Sequence, residues 1–436
     1  MRLKNILEID FLLLLPIIAL ISIGILFIYS AGITTDGVQM STEFARQIVW
    51  ASVGLLVVIT LSMINYRRYY NFAIYIYLLS LVPLLITLFF GHAIHNATRW
   101  LRIGFVGVQI SEFVKLSVII LLARYLADTD HNKDSFSRFF VSCVIVFIPT
   151  LMVLLQPDLG TSLVYVAILI TMLFLSGIPM RYVAFMISCI ALSGILLVLP
   201  FWQTHILRES VPFLSALADF RINIIAIAFF IFIAVIALFG YLKFKKKYFF
   251  WIVYSAAIIV LSLGISYVGR IVLRNYQIMR LIVFIDPNVD PRGAGWNIIQ
   301  SITAIGAGGF SGRGFLQGTQ SQYRFLPEQS TDFIFSIFSE EAGFIGGIIV
   351  FALYLLIINR LLFSMKKTTD PFAKYFLAGL SGMIGFHFII NVGMAIGVMP
   401  ITGLPLIFMS YGGSSLLSSM IGIGIATSIY IRRFNR

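Results

Sequence analysis

The chain has 436 residues, of which 60% are hydrophobic and 11% are charged, and its mean hydropathy is +0.99. Because soluble domains carry about 25% charged residues, this composition excludes a soluble globular protein and requires a chain that crosses a membrane several times. The net charge of +13 agrees with the excess of Lys and Arg in cytoplasmic loops of membrane proteins, and no basic patch interleaved with aromatics indicates a nucleic-acid surface.

The N-terminal apolar run, residues 11–30, follows a short charged lead-in and lacks the small-residue pattern of a cleavage site. We therefore expect it to be retained as the first membrane span and not removed as a signal peptide. Cys143 and Cys189 both lie inside apolar runs, which argues against a disulfide framework or a cysteine metal site.

Apolar runs of about 20 residues recur along the chain, each long enough to cross the hydrocarbon core as a helix. We predict an all-α polytopic membrane protein with about twelve transmembrane helices, organised as one membrane domain over residues 1–436. No internal repeat or low-complexity linker divides it. The predicted spans are residues 11–31, 48–64, 72–90, 113–126, 139–155, 159–175, 183–200, 222–242, 248–268, 333–358, 375–396 and 416–431.

Lys and Arg gather in alternate loops, and this pattern orients the spans. Basic loops follow every second span, and the chain ends with Arg432, Arg433 and Arg436. All of these residues lie on one face if both termini are cytoplasmic, as we predict. The extracytoplasmic face then receives the loops 92–109, 201–220, 269–331 and 397–415.

The longest outer loop is a polar, glycine-rich stretch that ends in a run of acids. Loops of this length are usually functional or disordered, and the apolar pieces 281–285 and 296–305 predict short amphipathic or re-entrant helices. Glu328 and Asp332 precede the next apolar run, and Glu340 and Glu341 lie within it. So many acids at a membrane edge indicate a reaction, a cation or a basic partner.

Asp332 has two interpretations. It caps the helix that begins beside it, or it acts as a base on a bound substrate. Arginine binds phosphate in a bidentate way and a carboxylate can take a proton, so acids beside arginines suit a substrate with a phosphate-linked leaving group. The arginines on the same predicted face are Arg274, Arg280, Arg313 and Arg324.

Three other places carry polar residues at span ends. Glu112 and Lys115 are spaced to pair on one helical face, and such a pair either locks two helices or serves a functional site. Asp158 fits the N-cap of the next span. Ser414 lies in a loop rich in Gly and Pro that predicts a cavity wall. The histidines show no helical pair typical of a metal site.

Several motifs, taken in order, are similar to those of the SEDS family, the shape, elongation, division and sporulation proteins. The resemblance covers nearly the whole chain, and the segment that starts at Gly318 resembles the elongation branch more than the division branch. The motifs are Arg99-Trp100, Ser111-Glu-Phe-Val-Lys115, Gln156-Pro-Asp-Leu-Gly-Thr161, Tyr276-Gln, Asp286-Pro, Gly318-Thr-Gln-Ser-Gln, Phe325-Leu-Pro-Glu, Thr331-Asp-Phe-Ile-Phe, Glu340-Glu-Ala-Gly-Phe, Met399-Pro-Ile-Thr-Gly-Leu-Pro and Ser410-Tyr-Gly-Gly-Ser-Ser.

The resemblance implies a peptidoglycan glycosyltransferase that polymerises lipid II at the outer face of the bacterial cytoplasmic membrane, for cell elongation and shape. It implies a class B penicillin-binding protein as the partner that cross-links the strands. It also implies that Asp332 is the essential acid and that Arg99, Trp100, Glu112 and Lys115 belong to the site. The further substrate-binding candidates are Arg102, Arg274, Arg280, Glu328 and Ser414.

We expect an inverting displacement in which the 4-hydroxyl of an incoming lipid II attacks the growing strand and undecaprenyl pyrophosphate leaves. Asp332 takes or orients the proton, and outer-loop arginines neutralise the pyrophosphate; whether Mg²⁺ or Mn²⁺ shares that task stays open. The alternatives are a lipid II flippase or membrane carrier and a scaffold that only recruits the transpeptidase. Against transport, the polar residues gather at one face and no inverted repeat is found.

The chain departs from the family pattern at a few places. Ile110 stands where Pro is usual, Ser330 where His is common, and Trp296 where Tyr is usual. Because the family core has about ten spans, we predict that residues 206–267 are an inserted, peripheral helical pair. Residues 269–332 then form a large extracytoplasmic catalytic loop.

Overall fold

The computed structural model describes residues 10–34, 36–94, 97–103, 106–131, 136–207 and 211–433. Within them the chain is almost entirely helical. The elements are α1 (Phe11–Ala31), α2 (Glu43–Met63), α3 (Arg67–Phe90), β1 (His92–Ile94), β2 (Ala97–Ile103), β3 (Val106–Gln109), α4 (Ile110–Asp128), α5 (Phe136–Leu155), α6 (Leu159–Leu175), α7 (Met180–Trp202), a π-turn (Gln203–Leu207), α8 (Pro212–Ala218), α9 (Phe220–Phe244), α10 (Lys247–Val272), α11 (Asn275–Ile285), a 3₁₀ turn (Pro287–Val289), α12 (Ala294–Gly308), α13 (Thr319–Gln322), α14 (Ile334–Lys367), α15 (Pro371–Ala395) and α16 (Gly413–Ile431).

The prediction of a polytopic helical membrane protein is confirmed. In the described part of the chain, 10 helices are long and apolar enough to cross a membrane. The other two predicted spans fall on α4 and α6, which are also helices. Helix α4 carries several charged side chains, and α6 has 17 residues, so both stay predictions as spans.

The loop after α3, predicted to be extracytoplasmic, departs from the all-α prediction. It forms a three-stranded antiparallel sheet in the order β1-β2-β3, in which Trp100 pairs with Gln109 and Ile103 with Val106. The sheet ends where α4 begins, so it holds the start of that helix.

The chain divides into two compact units, of which the first comprises residues 1–177 and 296–436. Its centre is α15 and α16, whose most apolar stretches are 72% and 83% buried. Glycines bring these helices close to their neighbours: a Cβ on Gly379 would lie 2.7 Å from the Met172 sulfur, and one on Gly422 would lie 2.7 Å from Leu380 Cδ1. Small residues at helix interfaces are typical of membrane helix packing.

The second unit, residues 178–295, contains α7 to α11. Helices α9 and α10 form a hairpin that turns at Lys245, which has a φ of +51°, and Gly240 lets Phe249 pack directly on α9. Only 11% of the apolar stretch of α9 is buried. The two helices match predicted spans 222–242 and 248–268; their status as a peripheral insertion stays a prediction.

Candidate active site

The glycine-rich segment folds against a break in helix α14. Gly343 has a φ of +68° and a ψ of −165°, so the helical hydrogen bonds stop there. The amide of Phe344 donates to the Gly309 carbonyl at 3.0 Å, and the amide of Arg313 donates to the Glu340 carbonyl at 3.0 Å. A broken helix within a membrane protein requires such replacement partners. The segment after α12 supplies them.

Two glycines permit this close contact. A Cβ on Gly312 would lie 2.1 Å from the Glu341 carbonyl oxygen, and a Cβ on Gly343 would lie 2.2 Å from the Gly312 amide nitrogen. Gly312 also has a φ of +80°, a conformation that side-chain-bearing residues rarely adopt. The glycines therefore serve the contact between the two backbones.

Glu340 and Glu341 bind the same segment through their side chains. Glu340 is fully buried and accepts hydrogen bonds from the Gln320 amide at 3.0 Å and the Thr319 hydroxyl at 3.0 Å. Glu341 accepts from the Leu316 amide at 3.0 Å and from the Ser30 hydroxyl at 2.5 Å. The sequence indicated a reaction, a cation or a basic partner for these acids; their partners are backbone amides and hydroxyls.

Arg313 also belongs to the folded segment. Its guanidinium donates to the Ala307 carbonyl at 3.2 Å and to the Thr319 hydroxyl at 2.9 Å. Thr319 in turn donates to Glu340. Arg313, although exposed, is thus joined to the Glu340 carboxylate through the Thr319 hydroxyl, and these bonds help to fix the segment.

Asp332 lies one residue before the N-cap of α14. The N-cap is Phe333, which makes no side-chain capping bond, and the helix-capping interpretation of Asp332 stays a prediction. The Asp332 amide donates to the Glu328 carbonyl at 3.2 Å, and its carbonyl accepts from Asn391 Nδ2 at 2.9 Å. The side chain is half-buried. The Asp332 carboxylate is therefore attached to a fixed backbone just before the N-terminus of α14.

Asn391 links this turn to a second loop. Its amide nitrogen also donates to the Leu404 carbonyl at 2.7 Å, and the side chain is fully buried in α15. Its oxygen has no hydrogen-bond partner among the described residues. Leu404 belongs to the Gly- and Pro-rich loop 397–415, so one α15 side chain joins the Asp332 turn to that loop.

Ser330 makes a contact that the sequence did not reveal. Its hydroxyl donates to Glu43 Oε2 at 2.6 Å, and its carbonyl accepts from the Tyr411 amide at 2.8 Å. Glu43 is in the first turn of α2, far from Ser330 in the chain. The sequence places Glu43 at the start of a span, which marks it as a functional candidate. Its pairing with Ser330, two residues before Asp332, is visible only in the folded chain.

The predicted pair of Glu112 and Lys115 is present and buried. Lys115 Nζ lies 2.8 Å from Glu112 Oε2, and the two residues are 1% and 2% exposed. Lys115 Nζ also lies 3.1 Å from His387 Nε2, while His387 Nδ1 lies 3.0 Å from the Pro405 carbonyl. Pairing on one helical face is therefore confirmed. The contact with α15 agrees with the helix-locking interpretation, and a functional role stays a prediction.

Arg99 forms an ion pair with Asp158. Its Nη1 lies 3.1 Å from Asp158 Oδ2, and Gln109 Nε2 donates to the same oxygen at 3.1 Å. Asp158 also accepts from the Thr161 amide at 3.1 Å as the N-cap of α6, which confirms the predicted cap. The sequence did not predict that Arg99 shares this carboxylate, because the two residues meet only through the sheet.

The remaining candidates occupy different surroundings. Trp100 is half-buried in β2, and the side chain of Arg102 lies outside the described residues. Ser414 accepts from the Gln109 amide at 3.0 Å, so the loop 397–415 meets the sheet. Glu328, with a φ of +50°, accepts from the Thr331 hydroxyl at 3.1 Å.

Arg274 and Arg280 lie in the second unit. Arg274 is at the N-cap of α11, and the Arg280 guanidinium carbon lies 5.7 Å from the Tyr276 ring centroid. Asp332 belongs to the first unit. Their approach to Asp332 stays a prediction.

The sequence is similar to those of known proteins over almost its whole length. A model of the FtsW/RodA/SpoVE family, described as cell cycle proteins, matches residues 11–219 and 211–434. The chain belongs to this family. These are the SEDS proteins, so the resemblance read from the motifs is confirmed.

Two curated relatives have closely similar lengths. The peptidoglycan glycosyltransferase RodA of Treponema pallidum is 44% identical, with 99% of this chain and 100% of that protein covered. The peptidoglycan glycosyltransferase MrdB of Escherichia coli K12 is 31% identical, with 98% and 94% covered.

Solved SEDS structures share the fold. A chain of a peptidoglycan synthase complex that coordinates polymerisation and crosslinking superimposes with a TM-score of 0.68 at 25% identity, covering 98% of this chain and 99% of that one. RodA of Thermus thermophilus gives a TM-score of 0.61 at 22% identity, with 98% of both chains covered.

The structure shows the position or the contact of each residue that departs from the SEDS pattern. Ile110 begins α4, and Trp296 donates its indole N–H to the Phe325 carbonyl at 2.7 Å. Ser330 replaces the common His and donates to Glu43.

Within the described residues, no group of three or more His, Cys, Asp or Glu side chains gathers in a way that could hold a metal ion. The participation of Mg²⁺ or Mn²⁺ therefore stays a prediction, since a substrate pyrophosphate can itself supply ligands to such an ion.

Proposed function

We propose that this SEDS protein is a peptidoglycan glycosyltransferase that polymerises lipid II into glycan strands at the outer face of the bacterial cytoplasmic membrane. The relatives from T. pallidum and E. coli carry that activity in their names. The similarity to the RodA relative over the full chain supports a role in cell elongation and shape.

The observation that carries the proposal is the setting of Asp332. Its backbone is held at both the amide and the carbonyl, while its side chain remains half-exposed. The neighbouring Glu340 and Glu341 are buried and accept several hydrogen bonds from one segment. A base must be both positioned and accessible to a substrate. Among these three acids, Asp332 meets both requirements.

The proposed reaction is a single displacement with inversion. The 4-hydroxyl of the GlcNAc in an incoming lipid II attacks the anomeric carbon of the growing strand. Asp332 accepts or orients the hydroxyl proton, the new glycosidic bond forms, and the bond to undecaprenyl pyrophosphate breaks. The departing pyrophosphate takes the electron pair, so cationic groups near it stabilise the transition state.

The choice of those cations is part of the proposal. Arg99 is only partly exposed and is paired with Asp158, so it would bind pyrophosphate while keeping that partner. Arg274 and Arg280 are further candidates, with Arg102 as the fourth. A divalent cation, Mg²⁺ or Mn²⁺, would supply additional charge neutralisation at the pyrophosphate when bound.

The proposed topology places both termini in the cytoplasm and the Asp332 turn outside. It rests on the basic loops that alternate along the sequence. The proposed partner is a class B penicillin-binding protein that cross-links the new strands. In support, the similar chain of known structure belongs to a peptidoglycan synthase complex.

Asp332→Asn tests the assignment, because it keeps the shape of the side chain and removes its basicity. We expect polymer formation from purified lipid II to fall by about 10²–10⁴-fold, the usual contribution of a general base, without a change in thermal stability. Asp36→Asn is the matched control: it makes the same change at an exposed residue of the predicted outer face and should retain full activity. Normal strand synthesis by Asp332→Asn would contradict the role of Asp332.

The same assay separates the alternatives. With lipid II freely accessible in detergent, a glycosyltransferase makes polymer, whereas a flippase or carrier produces none. A scaffold that only recruits the transpeptidase predicts that Asp332→Asn has no effect on growth or on synthesis in cells.

A further inference from the structure

A cavity of about 350 Å³ lies in the first unit, at the other end of α14 from Asp332. It is bounded by the end of α6, the end of α14 and the beginning of α15. Its wall combines apolar groups such as Met365 with the polar side chains Ser176, Lys366, Lys374 and Tyr375. The volume suits a small ligand or a lipid headgroup.

Two lysines in the wall have no side-chain partner among the described residues. Neither Lys366 nor Lys374 makes a side-chain hydrogen bond or ion pair within the part of the chain that the structure describes. Lys366 is exposed and Lys374 is half-buried. Each ammonium offers three hydrogen-bond donors, so the cavity presents unused donors together with unpaired positive charge.

The acid among the described residues that line the cavity, Asp130, is already compensated. Asp130, which also lines it, lies 3.7 Å from Arg138 Nη2 and accepts a hydrogen bond from the Tyr375 hydroxyl. Arg138 itself is only 1% exposed, so its charge is committed to this buried cluster. The lysines therefore set the sign of the open part of the cavity, which is positive.

The position of the cavity matches a membrane interface. From Phe344 to Lys366, α14 is continuous, which corresponds to about 34 Å at 1.5 Å per residue. The hydrocarbon core is about 30 Å thick, so the cavity and the break at Gly343 lie at opposite interfaces. Basic pockets between membrane helices at such an interface bind anionic lipid headgroups.

We propose that this cavity binds an anionic phosphate group between Lys366 and Lys374. Two sources supply such a group at this place: the headgroup of an anionic membrane lipid and soluble phosphate. The apolar wall contributed by Met365 and Leu175 would contact the first part of a lipid's acyl chains. The inference is independent of the proposed glycosyl transfer, since the cavity shares no residue with the candidate active site.

The test compares two double variants of the full-length protein. Lys366→Gln/Lys374→Gln removes both cavity cations. The control, Lys367→Gln/Lys243→Gln, removes two lysines that do not line the cavity; their ammonium groups lie 4.4 Å from the Phe363 ring and 5.6 Å from the Phe244 ring. The two variants have the same net charge, so a difference between them reports on the cavity.

Binding is measured by native mass spectrometry and by thermal stability, with phosphatidylglycerol, phosphatidylcholine and inorganic phosphate as probes. We expect wild type and control to retain phosphatidylglycerol over phosphatidylcholine, and the cavity variant to bind it roughly ten- to thirty-fold more weakly, as two basic residues near a surface would give. Stabilisation of wild type, but not of the cavity variant, by millimolar inorganic phosphate would assign the site to soluble phosphate. Equal binding by the cavity variant and the control to every probe would overturn the proposal.

Discussion

Asp332 and the pair Glu340 and Glu341 lie close together in the chain but are used in different ways. The pair is buried, and its oxygens accept hydrogen bonds that hold the glycine-rich segment against α14. Asp332 is half-exposed, and its backbone amide and carbonyl are hydrogen-bonded to neighbouring elements. The difference shows that buried acids here hold a loop by accepting hydrogen bonds from its amides, whereas the half-exposed Asp332 is the one for which we propose a chemical role.

The largest expected effect comes from breaking the contact that buries the structural pair. Gly343→Ala forces a Cβ into a glycine-only backbone region and to 2.2 Å from the Gly312 amide nitrogen. We expect a loss of at least about 3 kcal/mol in the free energy of unfolding, seen as a lower melting temperature in detergent.

Gly347→Ala, in the same helix, is the control for that substitution. Its Cβ would meet nothing within 4 Å, so we expect a neutral change or a stabilisation of up to about 1 kcal/mol. An unchanged melting temperature for Gly343→Ala would mean that the segment is not held by this contact.

A smaller loss of stability is expected from Glu340→Ala. The Gln320 amide and the Thr319 hydroxyl would lose their acceptor, which costs about 1–3 kcal/mol for buried groups. The melting temperature should fall, while the activity of the protein that remains folded persists. Asp332→Asn should give the reverse pattern in the same two measurements. A Glu340→Ala protein that keeps its stability and loses its activity would show that Glu340 acts in the reaction and not in holding the fold.

The smallest effect is expected at the contact behind Asp332. Ser330→Ala removes the hydrogen bond to Glu43, and at this half-exposed position the stability should change by less than about 1 kcal/mol. We expect a few-fold fall in the polymerisation rate, because the turn before Asp332 loses one tether. Ser52→Ala removes a hydroxyl bonded within α2 and should change neither quantity. Identical polymerisation rates for both variants would show that the bond from Ser330 to Glu43 does not help to position Asp332.

Local sequence signals predicted much of the fold. Apolar runs gave the helices, because a span requires a fixed length of apolar residues. The cap at Asp158 and the pairing of Glu112 with Lys115 depend on positions a few residues apart, so spacing was enough to predict both. The apolar pieces of the long loop 269–331 likewise proved to be parts of α11 and α12.

Long-range contacts account for what the sequence did not predict. Glu43 meets Ser330, His387 meets Lys115, and Arg99 meets Asp158 only after distant helices pack together. The role of Glu340 was misjudged because its amide partners come from a loop whose path follows no local pattern. The break inside α14 was missed for the same reason, since Gly343 lies in an otherwise regular apolar run.

The order of synthesis gives the break at Gly343 a consequence for membrane insertion. The segment that satisfies its freed backbone groups, with Gly309 and Arg313, is made before α14. Chains are synthesised at about 5–20 residues per second, so these partners are present when α14 leaves the ribosome. The interrupted helix can therefore enter the lipid already paired, without waiting for any part of the protein that follows it.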